Sequence, residues 1–219
     1  MKTKKIISFS LWGDNPLYTN GAIWNAQHSK EFYPDWICKF YYDETVLKNI
    51  IEKIGETGAE LKLMNKTTDV LGAHWRFHAM FDDCNIERFI VRDTDSKFSI
   101  REVKMVDEWI KSELPFHIIR DCKQHESTIM AGMWGAIPGC VPEFEQKLGW
   151  WFSQLEPDYE NPRGIFHGYD QSFLNKLVWP SIKNNHIAHV LKDLPHLKYT
   201  GNEIEVDEPE DGHYVGMVV

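Results

Sequence analysis

Between Lys5 and Met64 the sequence alternates between two kinds of apolar pattern. Lys5–Leu11, Trp36–Tyr42 and Leu61–Met64 are short runs rich in apolar and β-branched residues and read as strands. The stretches between them read as helices. One spans about Tyr18 to Lys30, after a Trp12-Gly13-Asp14-Asn15-Pro16 turn. The other starts at Asp43 as N-cap, continues through about Ile54 and ends at Gly55 and Gly58. Strand, helix, strand, helix, strand at this spacing predicts a parallel sheet with crossover helices, an α/β fold.

The same reasoning extends down the chain. His74–Phe81 reads as helical, Phe89–Val91 as a buried strand and Ser99–Ser112 as a helix with Val103, Val106 and Ile110 on one face. Phe116–Asp121 reads as a strand, Thr128–Ala136 as an apolar, glycine-bearing strand and Pro142–Gln154 as a helix. A further helix opens at Gly168–Leu174 and is predicted to end at Trp179-Pro180; the polar, acidic tail from about Pro195 reads as irregular. No linker divides the chain, so residues 1–219 are expected to form a single domain.

The chemistry concentrates where Phe89-Ile90-Val91-Arg92 runs into Asp93-Thr94-Asp95-Ser96. Open α/β sheets keep their ligand crevice beyond the carboxyl ends of the strands. In extended chain i and i+2 share a face, so Asp93 and Asp95 would aim at one spot. Two carboxylates there repel each other unless a cation lies between them, and hard oxygen ligands suit Mn²⁺ or Mg²⁺. Arg76, 17 residues earlier, is placed to clamp phosphate or a sugar hydroxyl, whereas Arg92 alternates away and reads as structural. Gly132 and Trp134 would let a ligand approach the backbone and offer it a ring face. Asp170 and Gln171 open a helix, either as capping groups or as a pair facing sugar hydroxyls. His213 reads as a further metal ligand if the tail folds back.

Other classes are disfavoured. A net charge of −9 argues against broad nucleic-acid or anionic-membrane binding. No run approaches a membrane span, and Ile6–Trp12 is too short for a secretory leader core. Four cysteines without CxxC spacing predict free thiols and a reducing, cytoplasmic setting. Dinucleotide, P-loop, zinc-hydrolase and nucleophile-elbow motifs do not occur.

The stretches Ile7–Gly13, Phe89–Ser96 and Met130–Gly135 together resemble GT-A fold nucleotide-sugar glycosyltransferases. They are similar in particular to the small GT-A domains of large DNA viruses of algae (chlorella viruses) and of bacterial polysaccharide loci. The Arg76, Asp93-Thr94-Asp95, Asp170-Gln171, His213-Tyr214-Val215-Gly216 order also resembles retaining galactosyl- and glycogenin-type enzymes. The resemblance implies a GT-A fold with a mostly parallel central sheet. It implies a UDP-sugar as donor, a glycan or other hydroxyl acceptor and, if the source is viral, the host cytoplasm. Under it, Asp93, Asp95 and His213 would coordinate Mn²⁺ or Mg²⁺, Arg76 would contact the donor and Ser8, Phe9 and Ser10 would line the nucleoside pocket. Asp170 and Gln171 would face the transferred sugar, with a lean towards retention. A nucleotidyltransferase is the competing enzyme class; a Trp-rich carbohydrate-binding module is the non-catalytic alternative, with nine Trp in the chain.

Overall fold

In the computed structural model, residues 3–65, 69–155, 166–192, 196 and 203–218 are described. One eight-stranded sheet runs through them in the order β3-β2-β1-β4-β6-β5-β7-β8. The strands are β1 (Lys4–Leu11), β2 (Trp36–Tyr42), β3 (Glu60–Leu63), β4 (Ile86–Val91), β5 (Phe116–Arg120), β6 (Trp134–Ala136), β7 (Ile187–Leu191) and β8 (Glu203–Val206). Every pairing is parallel except the two made by β6, which runs antiparallel to both β4 and β5. Helices α1 (Pro16–Phe32), α2 (Lys48–Glu56), α3 (Ile100–Ser112), α4 (Phe144–Ser153), α5 (Tyr169–Phe173) and α6 (Trp179–Ile182) pack around it. A 3-10 segment (Asp69–Met80) and a π turn (Leu174–Val178) complete the described elements.

The strand order places the ligand crevice. β1 is flanked by β2 on one side and β4 on the other, so the winding direction reverses between β1 and β4. Crossover connections leaving in opposite directions open a gap beyond the carboxyl ends of those two strands. Alternation along β1 divides its residues between the two faces. Ile6 joins one apolar cluster, with Phe77, Phe89 and Trp134, while Ile7, Phe9 and Leu11 join the other, with Phe40, Phe98 and Trp109.

Several sequence expectations need correcting. The helix expected from Asp43 begins at Lys48, because Asp43 instead accepts from the Thr45 N–H at 3.0 Å and forms an Asx turn. Of His74–Phe81, His74–Met80 falls in 3-10 rather than α-helical turns, and Phe81 lies in the turn that follows. Of Thr128–Ala136 only Trp134–Ala136 is strand; the rest is loop. The helix from Tyr169 does not end at Pro180 but passes through a π turn into α6, with Pro180 in its first turn, where a missing N–H is tolerated. The segment read as irregular contains β8, and β7 was missed altogether.

His74 shows how tightly the 3-10 segment packs. It is buried, with its ring against Phe77, Phe152, Tyr169 and Phe173. Burial pushes its pKa from 6.5 down to about 4, against the charge of Asp170 on α5 and with Arg76 and His78 of its own segment lowering it further. Between those values the unfolded chain binds a proton that the folded chain refuses, so stability falls as pH falls through that window. The expected outcome is that His74→Phe loses on the order of 2–3 kcal/mol less stability than wild type between pH 7 and 4. Urea unfolding at the two pH values checks it; equal losses would refute it.

Candidate active site

Asp93, Thr94 and Asp95 follow the end of β4, beside the reversal point. The loop is fastened from α1 and from its own residues. Asn25 donates to the carbonyls of Thr94 at 3.3 Å and Ser96 at 2.8 Å, and Ser96 donates to the carbonyl of Asp93 at 3.0 Å. Gly21 lies so close that a Cβ there would overlap the Thr94 carbonyl. Neither Asn25 nor Gly21 was singled out in the sequence. A polar residue facing inward from an otherwise ordinary helix was the available signal.

Arg76 is brought into the same place from the opposite side of β1. Ser8 donates to the Arg76 carbonyl at 2.6 Å, the Arg76 N–H donates to Ser10 Oγ at 2.9 Å, and Ser10 reaches the Ala73 carbonyl at 3.2 Å. Two serines at i and i+2 on one strand face thus hold the 3-10 segment. The Arg76 guanidinium is buried and forms ion pairs with Asp93 and, at 3.0 Å, with Asp170. Burial alone would lower its pKa, but the two carboxylates and Asp95 outweigh that and raise it. Asp170 Oδ1 accepts the Gln171 N–H at 2.8 Å.

Among the described residues, Asp95 is the carboxylate of this group with no ion pair. Burial first, and then the charge of Asp93, push its carboxyl up to about 6. A divalent cation fits this arrangement on its chemistry: two oxygen donors of like charge, one of them destabilised as an anion, beside a glycine that leaves room. A Cβ on Gly132 would overlap Oδ2 of Asp93. Among the described residues no three His, Cys, Asp or Glu side chains converge on a point. Mg²⁺-type sites held by one or two carboxylates keep waters and substrate phosphates as their other ligands, so two aspartates suffice.

The remaining expected site residues divide. Ser10 and Thr94 line a narrow cleft of about 10 Å³ with Leu11, Trp12 and Tyr18, next to the aspartates. Phe9 points to the opposite face and stacks on Phe40 at 4.7 Å, and Trp134 stacks on Phe116 at 5.2 Å; both are fully buried core groups rather than pocket walls. Gln171 does not open towards the crevice with a free amide: its Nε2 donates to Ser127 Oγ at 2.6 Å and its Oε1 accepts the Ala131 N–H at 3.4 Å. The tail does fold back, with Val215 buried and Val218 bridging to Ser96. His213 itself is exposed and lies 3.4 Å from Asp211. It faces a separate groove of about 810 Å³ between α3 and the tail, whose walls include none of Asp93, Asp95, Arg76 and Asp170. Arg92, read as structural, is a buried partner of Glu102 at 2.7 Å.

Gly132→Ala should rotate Asp93 away from Arg76, because the new methyl group occupies the space of Oδ2. The expected result is a folded protein, with an unchanged far-ultraviolet circular dichroism spectrum, in which the Arg76–Asp93 pair is broken. A crystal structure of the variant retaining that pair would refute it.

No family model matches the sequence, and no curated protein matches it. Solved structures do. A glycosyltransferase involved in glycosylation of the major capsid of PBCV-1 superposes with a TM-score of 0.53 at 14% identity, covering 85% of this chain and 81% of that one. An active-site mutant of LgtC gives 0.48 at 12% identity over 92% and 84% of the two chains. Glucosyl-3-phosphoglycerate synthase from Mycobacterium tuberculosis, in complex with Mn²⁺, UDP and phosphoglyceric acid, gives 0.44 at 7% identity over 64% and 57%. The chain thus shares the fold of the PBCV-1 enzyme, the GT-A arrangement that its sequence resembles.

Proposed function

We propose that the protein transfers a sugar from a nucleoside-diphosphate sugar, a UDP-sugar, to a hydroxyl of a glycan or similar acceptor, with a divalent cation, Mn²⁺ or Mg²⁺. The observation that carries this reading is the convergence of Asp93, Asp95, Arg76 and Asp170 at the winding reversal of a GT-A sheet. Asp93 and Asp95 would hold the cation, which when bound supplies positive charge to the leaving diphosphate.

The chain's own groups divide the remaining work. Arg76 presents a guanidinium whose geometry matches phosphate oxygens. Its backbone is held by Ser8 and Ser10, and its guanidinium, paired with Asp93 and Asp170, would exchange part of that pairing for the donor. Asp170 is kept oriented by Arg76 and the Gln171 N–H, and would be the carboxylate that stabilises positive charge at the reacting sugar carbon. That role suits retention of configuration. Trp12 and Tyr18, which line the cleft at Ser10 and Thr94, would offer ring faces to a nucleobase at its rim, the cleft itself being no larger than a water.

Thermal melts with UDP, GDP, CMP and UTP, each with and without Mn²⁺, test this reading. The expected outcome is a stabilisation by UDP that requires Mn²⁺ and is abolished in Asp95→Asn without loss of folding. Absence of a shift with every nucleoside diphosphate would refute it. Product NMR on the first-formed anomer reports the stereochemistry, for which retention is expected.

A further inference from the structure

The loop Ser127–Gly132 carries the backbone that presses on Asp93, yet it lies outside every strand. Two of its amides are nonetheless paired, and both partners are side chains of one helical segment. The Ile129 N–H donates to Asn175 Oδ1 at 2.9 Å, and the Ala131 N–H donates to Gln171 Oε1 at 3.4 Å. Gln171 also holds Ser127 at 2.6 Å.

The loop bends at Ser127–Ile129 and turns at Ala131–Gly132, where the Met133 N–H donates to the Met130 carbonyl at 3.0 Å. Its amides at 129 and 131 are taken by side chains about one helical turn apart, a rise of about 6 Å. Gln171 and Asn175 thus supply the acceptors that a neighbouring strand would give. They straddle the junction between α5, which carries Asp170, and the π turn that follows it. The contacts close a ring. Asp93 pairs with Arg76, Arg76 with Asp170, and Asp170 adjoins Gln171. Gln171 holds Ala131, and the next residue, Gly132, abuts Asp93.

We propose that Gln171 and Asn175 are positioning residues: they fix the Asp93 carboxylate for cation and diphosphate binding by holding the Ser127–Gly132 backbone. Gln171 acts here through the loop rather than by touching the sugar. This rests on the reading of Asp93 and Asp95 as cation ligands.

The test titrates Mn²⁺, with and without UDP, into the full chain, following free Mn²⁺ by electron paramagnetic resonance. Asn175→Leu keeps the volume but loses the acceptor; Asn175→Asp keeps an acceptor for the Ile129 N–H. Asn175→Leu is expected to weaken Mn²⁺ binding per folded molecule by about tenfold, the size typical of outer-shell ligand partners, with Asn175→Asp near wild type. Hydrogen exchange of the metal-free protein should show faster exchange at Ile129 in the leucine variant alone. If Asn175→Leu does not fold, Ser127→Ala, which removes only the Gln171 partner, carries the test, with a several-fold weakening expected. Wild-type Mn²⁺ affinity in the folded leucine variant, or in Ser127→Ala where that variant carries the test, would overturn the inference alone. Absence of Mn²⁺ binding to the wild type, with or without UDP, would overturn it together with the reading on which it rests.

Discussion

A guanidinium taken out of water is stable only if carboxylates meet its charge. For Arg76 those carboxylates come from two distant parts of the chain, Asp93 at the end of β4 and Asp170 on α5, 94 residues away in sequence. Its own backbone is tied to a third part, β1, through Ser8 and Ser10. One side chain thus sets the distance between the loop that would hold the cation and the carboxylate that would face the sugar. Another buried arginine, Arg92, does a different job with the same physics. It pairs with Glu102 of α3, which also accepts from Tyr33 at 2.8 Å, and so locks two crossover segments to the sheet beneath the site.

The reversed strand β6 is the other determinant of the site. β4 and β5 run the same way, and a strand placed between them in the opposite sense must be approached from their carboxyl ends. That path brings residues 121–133 across the top of the sheet, where Gly132 meets Asp93 and where Asp121 accepts the Val215 N–H of the returning tail. The tail and the loop then share a small apolar cluster, with Val215 against Met105, Ile119 and Met133. The upper surface is therefore assembled from segments that have little regular structure of their own and depend on side-chain hydrogen bonds.

This is also why the sequence was legible only in part. The first three strands, α1, and the Asp93–Asp95 loop could be read because their patterns are local: period-two or continuous apolar runs, a helical face, turn residues between. Arg76 and Asp170 were found by residue type and position, but their mutual contact is a tertiary fact that no spacing encodes. β6 was overextended because Thr128–Met133 is as apolar as a strand while its amides go to Gln171 and Asn175. Phe9 and Trp134 looked like pocket aromatics, and the alternation of β1 and the stacking on Phe116 put them in the core. β7 escaped because His189 interrupts its short apolar run. His189 is buried and hydrogen-bonded to His117 at 2.9 Å and to Glu108 at 2.9 Å.

Holding a loop by its main-chain amides has a consequence for how much of it can change. An amide N–H belongs to every residue but proline, so these two anchors do not themselves dictate the side chains at 129 and 131, which burial restricts to apolar groups. The polar identity that matters lies off the loop, on Gln171 and Asn175, and on the loop it lies in the missing Cβ of Gly132. A site built in this manner keeps its shape through a handful of polar groups scattered along the chain.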